Sequence, residues 1–195
     1  VTAALAAAFV WLFFLEYLPP FDRVHIPYDL SAWFYPLADY AYQALRDGRF
    51  PQWDAGIYCG IPFAGNIAAS LFYPPTWLAF AANAGRPLLA FHWVEALVIA
   101  HVWLAFLLCY LWLRGKRLAG VACAIGAGAY AFGGYLCQHW QHYNVVAGYA
   151  WMPLAFWGID QAAEKRRWRP LWKVAAASAL CLLAGYPPLW LVFVV

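Results

Sequence analysis

The sequence predicts an all-α, polytopic integral membrane protein, and three observations carry that prediction. Of 195 residues, 66% are hydrophobic and 21% aromatic, while only 11% are charged, against about 25% in a soluble domain. The apolar residues fall in long runs broken by short polar clusters, the pattern of helices whose solvent is lipid. The basic residues concentrate in two tight connections between those runs, as they do beside spans whose orientation is fixed by charge. A net charge of +3, with no basic stripe interleaved with stacking platforms, excludes a nucleic-acid partner. The apolar content excludes a disordered chain.

About five transmembrane helices are expected, near residues 1–18, 88–113, 118–136, 146–160 and 171–195. The first run lacks a basic n-region and a small-residue cleavage site before Pro19-Pro20, so it reads as a retained span and not a signal peptide. The chain opens at Val1 without a Met and stops within the apolar run Leu189 to Val195, which reads as a fragment: one transmembrane domain over 1–195, with a first extracytoplasmic loop at 19–87. Arg114, Lys116 and Arg117 separate spans two and three; Lys165, Arg166, Arg167, Arg169 and Lys173 flank the connection between spans four and five. Both connections are therefore expected inside. Alternation then puts the N-terminus in the cytoplasm, and residues 19–87 and 138–144 outside.

The first outer loop, at roughly 70 residues, is far longer than a connection requires, and loops of that length usually carry function. Within it Trp33, Leu37, Ala41, Ala44 and Leu45 share one helical face. Asp39, Gln43, Arg46 and Asp47 lie off that face, and Gly48 supplies a stop. An amphipathic interfacial helix follows, starting nearer Tyr35 than Ser31 because Pro36 is tolerated only in a first turn. The apolar stretch from Ile67 to Ala82 is too short to span and is interrupted by Tyr73-Pro74-Pro75; it is expected to re-enter or lie against the bundle.

Five cysteines have no C-x-x-C spacing, so neither a metal site nor a disulfide framework is indicated. A bridge between Cys59 and Cys137 is the one pairing that topology permits, and small apolar filler is preferred. Asp29, just past span one, is either a helix N-cap or a carboxylate placed at the membrane surface to act as a base. The loop Trp53-Asp54-Ala55-Gly56, Gly60-Ile61-Pro62 and Asn66 is punctuated by Gly and Pro. Its glycines read as turns, and Asp54 and Asn66 stay open as ligands. His139 and His142, spaced i, i+3 in the outer hairpin with Gln141 and Asn144, suit a phosphate, a metal or plain interfacial hydrogen bonding. Glu95 and His101 lie inside span two, where ionisable groups face the bundle interior. Small residues at 127–129 and 133–134 allow close packing of span three.

Taken in order, Asp29, Phe34-Tyr35-Pro36, the run Asp47 to Asp54, Gly60-Ile61-Pro62, Phe72-Tyr73-Pro74-Pro75, Gly134-Tyr135, the run His139 to Asn144 and Trp151-Met152-Pro153-Leu154 resemble the N-terminal part of YfhO-like bacterial membrane proteins. The resemblance covers nearly the whole chain. Two positions depart from the pattern: Asp54 stands where Asn is expected, and Cys137-Gln138 precede His139 where the family has a Gly-His pair.

That family is similar to the GT-C glycosyltransferases, and the resemblance implies a multi-pass enzyme of the bacterial cytoplasmic membrane. Such an enzyme moves a sugar from a polyprenyl-phosphate carrier to a cell-envelope acceptor on the outer side. The resemblance makes Asp29 the catalytic base. A phosphate leaving group also needs positive charge nearby, for which Arg46, Arg49 and Arg86 are on the expected side. Trp53, Asp54, Asn66, His139, Gln141, His142 and Asn144 complete the expected substrate-binding set. A divalent metal stays open as a cofactor, and membrane lipid is the expected surroundings. The competing classes are a transporter or lipid flippase, marked by repeated span groups and broken helices, and a non-catalytic membrane assembly subunit.

Overall fold

A computed structural model describes residues 8, 11–17, 19–21 and 23–192. The fold is all-α, with no strand among the described residues. The expected first span, 1–18, lies largely outside the described residues, as does Asp22. What is described of that span ends in a 3-10 turn, Leu15–Tyr17, and its Phe14 is fully buried.

Helix α1, Tyr35–Arg46, follows a π turn, Leu30–Phe34, and carries Pro36 in its first turn, where a missing N–H costs nothing. Leu37, Ala41 and Ala44 are buried, the i, i+4, i+7 face that the sequence marks, and Gly48 ends the segment at φ +73°, a left-handed conformation that glycine adopts freely. The helix is amphipathic, yet its polar side is occupied by protein. Asp39 Oδ1 accepts from the Leu89 amide at 2.7 Å, and the Tyr35 hydroxyl donates to the Leu89 carbonyl at 2.9 Å. The Tyr42 hydroxyl reaches the carbonyls of Asn83 and Arg86, and the Arg46 guanidinium reaches that of Pro87. These bonds fasten α1 to the connector 83–90.

Helix α2, Pro74–Ala82, begins at the prolines that interrupt the apolar run. Proline is well suited to a first helical turn, so here it starts a helix. Asn83, fully buried, closes it by donating to the Leu88 carbonyl and accepting from the Ala90 amide.

Helix α3, Phe91–Gly115, is 25 residues long, about 37 Å at 1.5 Å per residue. The next run, Gly120–Gln138, comprises α4, Gly120–Ala131, and α5, Gly134–Gln138, with a bend at 132–133. These two runs are long and apolar enough to cross a bilayer. In the second, Val121 and Ile125 are 73% and 69% exposed, which suits a lipid-facing surface better than a soluble core. A Cβ at Gly126 would lie 2.8 Å from Leu113 Cδ1, so a small residue there lets α3 and α4 pack closely.

The remaining two expected spans are not single helices of spanning length. The fourth is divided at Trp151 into α6, Tyr143–Ala150, and α7, Met152–Lys165, whose first turn holds Pro153. The fifth is divided into α8, Trp172–Leu183, and α9, Pro187–Leu191. Gly185 between them has φ +94°, and a Cβ there would run into the Ile67 carbonyl. The Ser70 hydroxyl donates to the Ala184 carbonyl at 2.7 Å, so the long first loop is anchored to the α8–α9 joint. A buried chain of polar groups ties the same loop to α3. His101 Nδ1 faces the Leu97 carbonyl at 2.6 Å and therefore carries the proton. Its Nε2 accepts from the Tyr73 hydroxyl at 2.6 Å, and that hydroxyl oxygen accepts from Trp151 Nε1 at 2.7 Å.

Candidate functional site

Asp29 precedes the π turn and makes no side-chain cap hydrogen bond. Its Oδ2 lies instead 3.0 Å from His142 Nε2, with the two side chains 57% and 30% exposed. The first loop and the hairpin 138–144, with Asp29 and His142 113 positions apart in sequence, thus meet at one carboxylate–imidazole pair. Because Nε2 faces a carboxylate it carries the proton. The other ring nitrogen, Nδ1, is buried and has no hydrogen-bond partner among the described residues. The acceptor that this pair presents to solvent is therefore the Asp29 carboxylate, with the imidazole fixing its orientation.

Local structure explains the placement. Tyr28 sits at φ +60°, an uncommon conformation for a bulky residue. Its carbonyl accepts from the amides of Ser31 and Ala32 and from the Ser31 hydroxyl, so the chain turns sharply just before Asp29. Upstream, the fully buried Glu95 of α3 accepts from the Ile26 amide at 2.7 Å, and its second oxygen lies 3.1 Å from His25 Nδ1. This pins the segment three residues before Asp29. On the hairpin side His139 Nδ1 donates to the Tyr135 carbonyl at 2.6 Å, its ring stacks on Tyr135, and the His139 and His142 rings are 5.3 Å apart. A cleft of about 150 Å³ is lined by Tyr17, Pro27, Tyr28, Gln138, Trp140 and Gln141 among others. Aromatic faces beside two amides form a surface able to hold a polyhydroxylated ligand, and Asp29 and His142, which do not line the cleft, directly follow its Tyr28 and Gln141 in the chain.

Of the residues proposed from sequence, Gln141 alone lines this cleft among the described residues. Asn144 is buried, donating to the Gly185 carbonyl at 3.0 Å and accepting from the Val145 amide, a bond set that fixes the start of α6. Asp54 is 6% exposed and accepts from the Gly56 amide at 2.8 Å, an Asx turn in a loop closed by the Asp54–Ile61 backbone pair. Asn66 accepts from the Ala68 amide at 3.2 Å and caps a short 3-10 turn. Trp53 covers Gly60 and accepts from the Tyr40 hydroxyl through its carbonyl. Arg46 and Arg49 both pair with Asp47, at 2.8 and 3.5 Å. The hydrogen bond from Arg46, with the charges of both arginines, holds the Asp47 carboxyl below its ordinary range. Arg86 is exposed.

The described residues contain no group of three His, Cys, Asp or Glu side chains arranged to hold a metal ion, and all five cysteines are free thiols. No family model, curated protein or solved structure matches the chain. Sequence reasoning left the role of Glu95 open and did not connect it to His25 and Ile26. The available signal was an ionisable residue inside an apolar helix, a feature that requires a buried partner.

Proposed function

We propose that the chain is the N-terminal part of a membrane-integral glycosyltransferase of GT-C type, multi-pass in the bacterial cytoplasmic membrane, with its N-terminus in the cytoplasm. It takes a sugar from a polyprenyl-phosphate donor and passes it to a cell-envelope acceptor on the outer side. The observation that carries this reading is the Asp29–His142 pair beside the aromatic and amide-lined cleft. It is supported by the ordered motif resemblance and by two helices able to cross a bilayer.

In this reading the acceptor hydroxyl gives its proton to the exposed Asp29 carboxylate as its oxygen bonds to the anomeric carbon. The bond from that carbon to the phosphate oxygen breaks, and polyprenyl phosphate leaves with the electron pair. His142 holds the carboxylate in place and donates to it; Gln138, Gln141 and the rings of Tyr28 and Trp140 receive the sugar. The experiment is sugar transfer from a polyprenyl-phosphate donor by the full-length protein in membranes. Asp29→Asn should abolish turnover while the protein stays folded, and unchanged turnover removes Asp29 as the base.

The breaks at 132–133, at Trp151 and around Gly185 favour a second reading, a transporter or flippase, since discontinuous helices line transport pathways. Movement of a labelled lipid across proteoliposomes without sugar transfer would select it.

A further inference from the structure

The other end of the bundle carries a feature that transfer chemistry does not use. Trp112 Nε1 and Lys116 Nζ, near the end of α3, bond Asp160 Oδ2 near the end of α7, at 2.6 and 2.7 Å. These contacts bring the connection 114–119 beside the connection 165–171. Arg114, Lys116, Arg117, Lys165, Arg166, Arg167 and Arg169 thus share one end with only Asp160 and Glu164. Asp160 is already paired with Lys116, and Arg166, Arg167 and Arg169 have no carboxylate partner among the described residues.

Orientation by the positive-inside rule requires charge alone. This end has more than charge. A cleft of about 400 Å³ is lined by Ala162, Ala163, Arg166, Arg167, Trp168 and Leu171. Two guanidinium-bearing residues and an indole border one cavity whose remaining walls are apolar. Trp168 is 86% exposed and Trp172 is 62% exposed, an expensive position for indoles in water but the preferred one at headgroup depth. Arg166 holds φ +47° at the C-terminus of α7, where glycine is the ordinary residue. An arginine kept in that strained conformation points to use of its side chain. Lys173 is excluded from the set, because it lies 3.4 Å over the Trp157 ring and donates to Gln161 Oε1.

We propose that this cleft binds the headgroup of an anionic phospholipid. The phosphate is held by Arg166 and Arg167, and Trp168 and Leu171 lie along the glycerol and upper acyl region. Guanidinium forks suit phosphate oxygens, and the apolar walls beside the arginines suit an amphiphile better than a free anion. The site needs only that α3 and the α4–α5 run cross the bilayer; it is independent of the chemistry at the Asp29 end.

The test reconstitutes the full-length protein in vesicles of equal phosphatidylglycerol and phosphatidylcholine, extracts it in mild detergent and measures the two phospholipids that remain bound. Wild type should retain phosphatidylglycerol above its input ratio. Arg166→Asn with Arg167→Gln should reduce that enrichment by about fivefold per charge removed, the usual effect of a basic residue at an anionic membrane surface. Asparagine is chosen because it tolerates the left-handed conformation at 166, and a size-exclusion profile matching wild type checks folding. Trp168→Ala should also lower retention, whereas Arg23→Gln, removing a charge from the opposite end, should not. Retention at the input ratio by wild type, or undiminished enrichment in the double variant, overturns the proposal. So does equal loss in Arg23→Gln, which would reduce the effect to overall charge.

Discussion

Replacing Glu95 tests how the Asp29 segment is held. Its carboxylate is fully buried and accepts from the Ile26 amide at 2.7 Å, with His25 Nδ1 at 3.1 Å. Ile26 is itself 3% exposed, so its N–H loses a buried acceptor if the carboxylate is removed. Glu95→Ala leaves that N–H without the carboxylate, at about 1–3 kcal/mol, and also deletes a buried methylene, at about 0.8 kcal/mol. The expected loss is about 2–4 kcal/mol. Glu95→Gln keeps the shape and an oxygen for the Ile26 amide, exchanging a charged acceptor for a neutral one at about 1 kcal/mol. Since 1.4 kcal/mol is tenfold in an equilibrium constant, local opening should rise about 30- to 700-fold for Ala and about fivefold for Gln. Hydrogen–deuterium exchange of a peptide spanning 23–34, in detergent-solubilised protein at fixed pH, reads this directly. Wild-type exchange in both variants would refute the reasoning, and equal acceleration in both would show that the charge, not the amide bond, holds the segment.

Tyr73→Phe should cost about 2–4 kcal/mol in thermal or denaturant unfolding, because it strands both Trp151 Nε1 and His101 Nε2 inside the protein. Two glycines separate backbone freedom from close approach. Gly48→Ala, at φ +73° with nothing within 4 Å, should lose about 1–2 kcal/mol. Gly185→Ala, whose Cβ meets the Ile67 carbonyl, should lose more than about 3 kcal/mol in the same unfolding measurement. For topology, in a variant whose Cys59 and Cys137 are both replaced by Ser, an impermeant thiol reagent on intact cells should label a cysteine at Gln52 and not one at Ala163; the reverse pattern overturns the assignment of sides.

Much of the architecture is legible because lipid-like helices and amphipathic helices leave strong periodic signals. Helix α1 is readable from Leu37, Ala41 and Ala44 with Gly48 behind them, and α3 from its uninterrupted apolar run. The breaks are less legible. Trp151-Met152-Pro153 lies in an apolar stretch whose hydropathy hardly changes, and the proline sits where a new first turn accommodates it. The polar side of α1 reads as solvent-facing, since nothing in Asp39 or Tyr42 announces that residues 83–90 fold over them. At the site, chain topology brings Asp29 and the hairpin to one side, but their pairing through His142, and not His139, depends on ring direction. Asp54, Asn66 and Asn144 carry polar groups that serve local backbone as readily as a ligand, and only their neighbours show which.

The bond from Ser70 to the Ala184 carbonyl spans 114 residues, and it sets a timetable for the nascent chain. At about 5–20 residues per second, synthesis of the second partner trails the first by roughly 6–23 seconds. Throughout that interval the segment around Ile67, Ser70 and Leu71 lacks the surface on which it finally rests, and α2 and α3 emerge before that surface does. The polypeptide must therefore tolerate an unfinished segment during synthesis, a period in which prolyl and glycyl turns such as Gly60 and Pro62 can limit the conformations it explores. A chain released between residues 138 and 184 would keep both long apolar helices yet lack the closing partner of its Ser70 segment.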